Sequence, residues 1–390
     1  ALAALLAEED WPAVLEAVGA APELLDARFG WAEQTVLHRA VIAGERLVVE
    51  ALLDLGADVM ARDGADNATP LHWAADRGDL GVAKLLVERG ADPADRDDLH
   101  GWGPLGWATL GELREDVARW LLRSGAPPRI FPLIALDDGS ALSALLEATP
   151  AAIDERLSRW EHYECPLHYA VGQGSVEAVE TLLDAGADAE ALDWLGLSPL
   201  AVATFRGRPD LVARLEATGV GDDLSAALAR GDLEAAAVAL EGEPGALAPK
   251  ARYGRLLMYA AENDHAEAVR WLLENGANPD TVQDWWDNRL TALHPAASHG
   301  ALSAVVALVE AGADTTVRDH QFDATPLEWA RHFECEAVVE FLSEVTPADE
   351  TVDLTGLKIP QFDLTGAEFG DDESDSNEES EDQNDDAGEG

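Results

Sequence analysis

One short pattern recurs along this chain at intervals close to 34 residues, and that recurrence limits what the chain can fold into more than any other feature. A clear copy is ATPLHWAADRGDLGVAKLLVERGADP, residues 68 to 93. Thr69 is a helix-capping residue, Pro70 suits the first helical position because its missing N–H needs no partner there, and Leu71, Ala74 and Ala75 make an apolar stripe. Gly78 supplies the left-handed residue that ends this helix. Leu80 to Glu88 gives a second helix with Val82, Leu85, Leu86 and Val87 inward, and Gly90 ends that one. Each helix is shorter than the roughly 12 to 15 residues that hold a helix together alone in water, so the hairpin must stack on neighbours.

The copies are TVLHRA (35 to 40), TPLHWA (69 to 74), GPLGWA (103 to 108), CPLHYA (165 to 170), SPLAVA (198 to 203), RLLMYA (255 to 260), TALHPA (291 to 296) and TPLEWA (325 to 330). Closing turns GAD at 56, 90, 186 and 312 and GAN at 276 accompany them. On these hexads and their spacing the sequence resembles the ankyrin-repeat family. Two further units, with reference positions expected at 131 and 222, keep the helix pair but lose the preceding hairpin, and the N-terminus is a third of this kind. The expected fold is all-α: one ankyrin-repeat solenoid of about eleven stacked helix pairs with β-hairpin loops over 1–345. A linker or pentapeptide-like extended cap follows over 346–370, and a disordered acidic tail over 371–390.

Charge narrows the function. The chain carries 26 basic and 76 acidic side chains, for a net charge of −50. Eleven of the acids lie in DDESDSNEESEDQNDDAGEG, residues 371 to 390, so −39 remains on the rest. Lys84, Lys250 and Lys358 are the only lysines. Acid excess with few lysines is expected of a protein from a high-salt cytoplasm, where ions screen surface carboxylates; the competing reading is a basic partner. Nucleic-acid binding is disfavoured, because no basic stripe is present to neutralise phosphates. No run of 18 apolar residues offers a membrane span, and ALAALLAEEDW lacks the basic start of a signal peptide. Cys165 and Cys335 fall five layers apart, too far for a disulfide, which fits a reducing, cytoplasmic location.

No cofactor, metal site or catalytic motif is expected. His38, His72, His168 and His294 hold the fourth place of the hexad, where the resemblance implies hydrogen bonds between neighbouring turns. His332 and Cys335 could share a metal, but no second pair of ligands has zinc spacing. G-x-S-x-G, P-loop, H-E-x-x-H and EF-hand patterns are absent. The function expected is therefore a non-enzymatic scaffold for a protein partner with a basic or apolar surface. The alternative is an acidic protein that sequesters basic proteins or mimics nucleic acid by charge.

The resemblance implies a partner surface along the hairpin tips and the exposed edges of the first helices. Almost every hairpin carries a ring: Trp31, Trp102, Trp160 and Tyr163, Trp194, Tyr253, Trp285 and Trp286, and Phe322. Turn chemistry asks for Gly, Asn and Asp instead. Two readings stand for these rings, binding anchors or packing of one tip on the next. The helix-edge candidates are Asp76, Arg77, Gln173, Phe205, Arg206, Asn263 and His299. Trp73, Trp107, Trp329, Tyr169 and Tyr259 lie within the hexads and are expected in the core. Near the C-terminus DLTG recurs at 353 and 363, and Leu354, Ile359, Leu364 and Phe369 recur every five residues, a period resembling the pentapeptide-repeat family.

Self-repulsion among carboxylates weakens a stack at low ionic strength. Thermal melts are accordingly expected to shift upward from low to molar KCl, and a midpoint indifferent to salt contradicts the salt-adaptation reading.

Overall fold

The structure is a computed structural model that describes residues 2–98, 100–157, 164–243, 245–285 and 288–347. Its helices follow one another as short antiparallel pairs. The first four pairs are α1 (Leu2–Ala7) with α2 (Trp11–Ala20), α3 (Val36–Ile42) with α4 (Arg46–Asp54), α5 (Pro70–Asp76) with α6 (Leu80–Glu88), and α7 (Pro104–Trp107) with α8 (Glu115–Arg123). Next come α9 (Ile130–Ala135) with α10 (Gly139–Ala148), α11 (Pro166–Gln173) with α12 (Val176–Asp184), and α13 (Pro199–Phe205) with α14 (Pro209–Glu216). The series ends with α15 (Leu224–Arg230) and α16 (Leu233–Glu241), α17 (Leu256–Glu262) and α18 (Ala266–Glu274), α19 (Leu293–Ser298) and α20 (Leu302–Glu310), and α21 (Pro326–His332) and α22 (Glu336–Val345).

First helices pack on first helices of the next layer, as α3 does on α5, α5 on α7, α11 on α13, α17 on α19 and α19 on α21. Leu37, Leu71, Leu167, Leu200 and Leu293, the third hexad letter, are 1% exposed or less, which is why a pair this short needs both neighbours. The units lacking a hairpin begin at caps Arg129 and Asp223, two residues before and one after the positions expected from spacing. The expected β-hairpin loops are also corrected. Among the described residues a ladder forms only between β1 (Gln283–Trp285) and β2 (Asn288–Leu290), with a single bridge between Phe29 and Gln34. The loops that start at Asp63, Asp97 and Asp319 are each closed by one backbone bond, to the Ala68, Trp102 and Ala324 carbonyls, together with the aspartate side chain. Asp97 Oδ1 accepts from the backbone N–H of His100 (2.7 Å) and Gly101 (2.9 Å), and its Oδ2 accepts from Trp107 Nε1 (2.7 Å). Asp63 with Trp73 and Asp319 with Trp329 repeat the arrangement, each indole nitrogen 2.8 Å from the carboxylate.

The hexad histidine joins the layers. In His38, His72 and His294, Nδ1 accepts from the N–H of the threonine that opens the hexad, at 3.3, 3.1 and 3.3 Å. Nε2 donates to a carbonyl in the next layer, that of Ala68 (3.1 Å), Trp102 (3.3 Å) and Ala324 (3.2 Å). His168 does the same to Leu197 (2.9 Å), with Cys165 Sγ at its other nitrogen (2.7 Å). The accepting residue always sits just before the next helix cap. Hexads at 103 and 198, which precede pairs without a hairpin, carry Gly106 and Ala201 in the histidine's place. At 255 the residue is Met258, and there Gln283 of the following hairpin donates back to the Gly254 carbonyl (2.7 Å). Along the loop edge Arg28 donates to the Arg62 carbonyl and Arg62 to that of Arg96 (2.9 Å), 34 residues on each time.

Buried apolar side chains form two contiguous clusters, one from Leu2 to Leu136 and one from Ile130 to Leu342. They meet where α7 is reduced to a single turn and the next pair lacks its hairpin. Gly106 is required at this seam, because a Cβ there would lie 2.9 Å from Cβ of Trp102.

The aspartate loops yield a stability prediction. Asp319 is 3% exposed and accepts from the N–H groups of Gln321, Phe322 and Ala324 as well as the Trp329 indole. Asp319→Ala strands these donors and is expected to lower unfolding free energy by about 3 kcal/mol, against less than about 0.5 kcal/mol for exposed Glu310→Ala, in urea titrations.

Candidate functional site

The helix-edge candidates occupy one structural position. Asp76, Gln173 and Phe205 are the last residues of α5, α11 and α13, and Arg77, Arg206, Asn263 and His299 cap the C-termini of α5, α13, α17 and α19. Side-by-side packing of first helices sets these ends along one edge. Asp76, Arg77, Gln173, Arg206, Asn263 and His299 are exposed there. Helix C-termini carry free carbonyls and partial negative charge, so cationic donors gather on this edge. Arg114 donates from Nε to the Asp76 carbonyl (2.7 Å), and Arg206 from Nη1 to that of Gly172 (2.8 Å). Arg208 bonds the Gly174 carbonyl (2.8 Å).

At the α17–α19 step the chemistry changes. Glu262 ends α17 with its side chain only 3% exposed, although the edge around it is wet. Its Oε1 lies 3.7 Å from His299 Nε2, and its Oε2 is buried with no hydrogen-bond partner among the described residues. Burial pushes this carboxyl up to about 8. His299 is held by its own turn, with Nδ1 3.0 Å from the Pro295 carbonyl and 3.1 Å from Ser298 Oγ. An aromatic group gathers around Tyr259 of α17. Phe205 stacks on His265 with centroids 4.5 Å apart and meets Tyr259 at 5.3 Å, bridging across the pair that lacks a hairpin. Tyr259 is half-buried, and burial raises its hydroxyl to about 12. Sequence reasoning missed Glu262. Its signal was present, since it shares its repeat position with Asp76, Phe205 and Ser298, but one carboxylate among 76 did not stand out.

The loop aromatics do not behave as one set. Trp31 is 67% exposed at its tip. Trp102 is half-buried and stacks on His100 at 4.7 Å. Trp194 is half-buried with the Arg255 guanidinium 4.3 Å above its ring, and half-buried Phe322 meets Trp329 at 6.3 Å. Tyr253 departs from the expected exposed anchor: it is 4% exposed, and burial raises its hydroxyl to about 12. The loop backbone around Gly196 packs on it, a Cβ there falling 2.8 Å from the Arg252 carbonyl and 3.2 Å from Tyr253 Cα. Trp160, Tyr163, Trp286 and the side chain of Trp285 lie outside the described residues, as do the DLTG segment and the acidic tail. Of the ring residues expected in the core, Tyr169 and Trp329 are buried, while Trp73, Trp107 and Tyr259 are half-buried.

Among the described residues no group of three or more His, Cys, Asp or Glu side chains could hold a metal, and Cys165 and Cys335 are free thiols. Cys335 is half-buried and lies 3.3 Å from the Ser298 carbonyl. No helix among the described residues is long and apolar enough to cross a membrane.

Comparison with known proteins agrees with the hexads. A profile described as ankyrin repeats (3 copies) matches residues 37–131 and 257–352, and one described as ankyrin repeat matches 162–194, together more than half of the chain. A mouse protein, the B-cell lymphoma 3 protein homolog, is 32% identical over 226 residues, covering 57% of this chain and 43% of that protein. The human ankyrin repeat and protein kinase domain-containing protein 1 is 33% identical over 101 residues, covering 26% of this chain and 12% of its own length. The palmitoyltransferase Hip14 of Drosophila melanogaster is 44% identical over 64 residues, covering 16% of this chain and 10% of its own. The chain thus spans less than half the length of each of these relatives.

The exposures separate two roles at the loop tips. Trp31→Ala is expected to leave the urea midpoint within about 0.5 kcal/mol of the parent, whereas Tyr253→Ala removes a buried ring and costs about 3 kcal/mol. Equal losses at both sites contradict this division.

Proposed function

Since the chain belongs to the ankyrin-repeat family, we propose that it is a protein-interaction scaffold whose partner lies along the edge formed by the C-terminal ends of its first helices. The supporting observation is the alignment of Asp76, Arg77, Gln173, Arg206, Asn263 and His299, all exposed, at one repeated structural position. A flat helical edge studded with polar groups at a fixed spacing suits an extended segment or a helix that crosses several layers. Phe205 adds apolar contact on this edge, and Trp31, Trp102, Trp194 and Phe322 add it from the loops that enter the same helices at their N-terminal ends, with Tyr163, Trp285 and Trp286 assigned to those loops by sequence. Tyr253 belongs to the packing of its loop. The eleven helix pairs, including the three without hairpins, act as repeat units of one scaffold, and two free cysteines suit a cytoplasmic setting.

Net charge supports a second reading, sequestration of basic proteins, because −50 attracts cations without any shaped surface. The two differ in what they demand of the edge. Capture from a cell extract at working salt, followed by mass spectrometry, is expected to return a defined partner. The double substitution Arg77→Ala with Gln173→Ala is expected to weaken its binding at least tenfold without changing the melt. A spread of basic proteins, lost equally at high salt and indifferent to these substitutions, favours sequestration.

A further inference from the structure

The repeats of this protein supply an internal template for a ligand. Arg206, eighth after its layer's cap Ser198, extends its guanidinium onto the end of the preceding first helix and bonds the Gly172 carbonyl at 2.8 Å. Arg114 covers the end of α5 in the same manner, at 2.7 Å from the Asp76 carbonyl. At the α17–α19 step the residue equivalent to Arg206 is His299, and the residue equivalent to Gly172 is Glu262. The place taken elsewhere by an arginine is here held by an imidazole, and beside it lies a carboxyl whose Oε2 has no hydrogen-bond partner among the described residues. A buried carboxyl without a partner is costly, and a fold that retains one leaves it available to a donor from outside.

We propose that Glu262 and His299, at the end of the helix that carries Tyr259, form the seat for one arginine side chain of a protein partner. This rests on the scaffold reading and names the chemistry by which the edge selects its ligand. A guanidinium fits because its planar fork bonds both oxygens of a carboxylate at once. His299 guards the seat without locking it. The ring is 36% exposed, is tied only to Pro295 and Ser298 in its own turn, and stands 3.7 Å from Glu262, beyond hydrogen-bond length. The C-terminus of α17 adds partial negative charge. Titratable groups around the carboxyl are Tyr259 on the same helix, Asp264 and His265 in the following turn, and His299 from α19; only burial moves it. The empty seat therefore holds a protonated carboxyl near neutrality, and arginine binding releases that proton.

The probe is Nα-acetyl-L-argininamide added to the full chain, with the uncharged citrulline analogue as control and the His299 imidazole resonances as readout. Saturable shifts are expected with the arginine probe alone at about 1 mM, the scale for so small a ligand. With the carboxyl at about 8, affinity is expected to rise about eightfold from pH 7.0 to pH 8.5. Glu262→Gln, an isostere of the protonated side chain that keeps the fold, is expected to weaken binding at least tenfold and abolish the pH dependence. Absence of saturable shifts up to roughly 20 mM, equal response to citrulline, or an unchanged Glu262→Gln variant overturns the seat. A defined partner captured in the preceding experiment keeps the scaffold reading intact in that case, so the two fail separately.

Discussion

Every layer of this protein is too short to stand alone, and one bond recurs at the join: the hexad imidazole that accepts from its own helix cap and donates to the carbonyl before the next cap. It satisfies two groups that helix ends would otherwise leave open, the first N–H of one layer and a loop carbonyl of the next. Buried leucines supply most of the free energy of stacking, but apolar contact is indifferent to small slips between layers. A ring nitrogen 3.1 Å from Ala68 O is not. The pattern of substitution supports this view, because Gly106 and Ala201 replace the histidine where the next layer has no hairpin to receive the bond.

The imidazoles also carry a charge condition. Burial lowers His38 and His72, and brings His294 down to about 4, so each is neutral when folded. A group depressed in this way contributes stability that is complete above the unfolded value near 6.5 and is lost as pH falls toward the folded one. His168 differs. Burial acts to lower it, but the Cys165 sulfur bonded to it, itself lowered toward the thiolate by the imidazole, and the Asp193 carboxylate outweigh burial and hold it at about 9. Its contribution runs the other way, present at low pH and lost as pH rises through that value. Glu262 shares that sign, since its carboxyl is raised by burial, and its contribution fades between about 4.5 and 8.

Much of this was legible in the sequence. TPLH and GAD at 34-residue spacing placed the helix pairs, because caps, prolines and left-handed glycines act locally. The interlayer role of the four histidines followed from the resemblance that the hexads carry. The loops were read less well. Their aspartates looked like generic turn formers, whereas Asp63, Asp97 and Asp319 each also hold an indole ten residues on, a contact set by tertiary geometry. Tyr253 looked like its neighbours at the tips, and only the packing of the Gly196 loop on it reveals a core residue. Glu262 was invisible for a related reason: it is buried against His299 of the next layer, a neighbour that is not adjacent in sequence.

The register of the layers depends on the interlayer imidazole. Nitrogen-15 shifts of the ring nitrogens, followed from pH 8 to pH 6 in the intact chain, report protonation and tautomer at each histidine directly. His38, His72 and His294 are expected to stay neutral throughout with the proton on Nε2, and His168 to stay doubly protonated. Four rings titrating together near the ordinary value of 6.5, or neutral rings protonated on Nδ1, would contradict the bond on which the stacking argument rests.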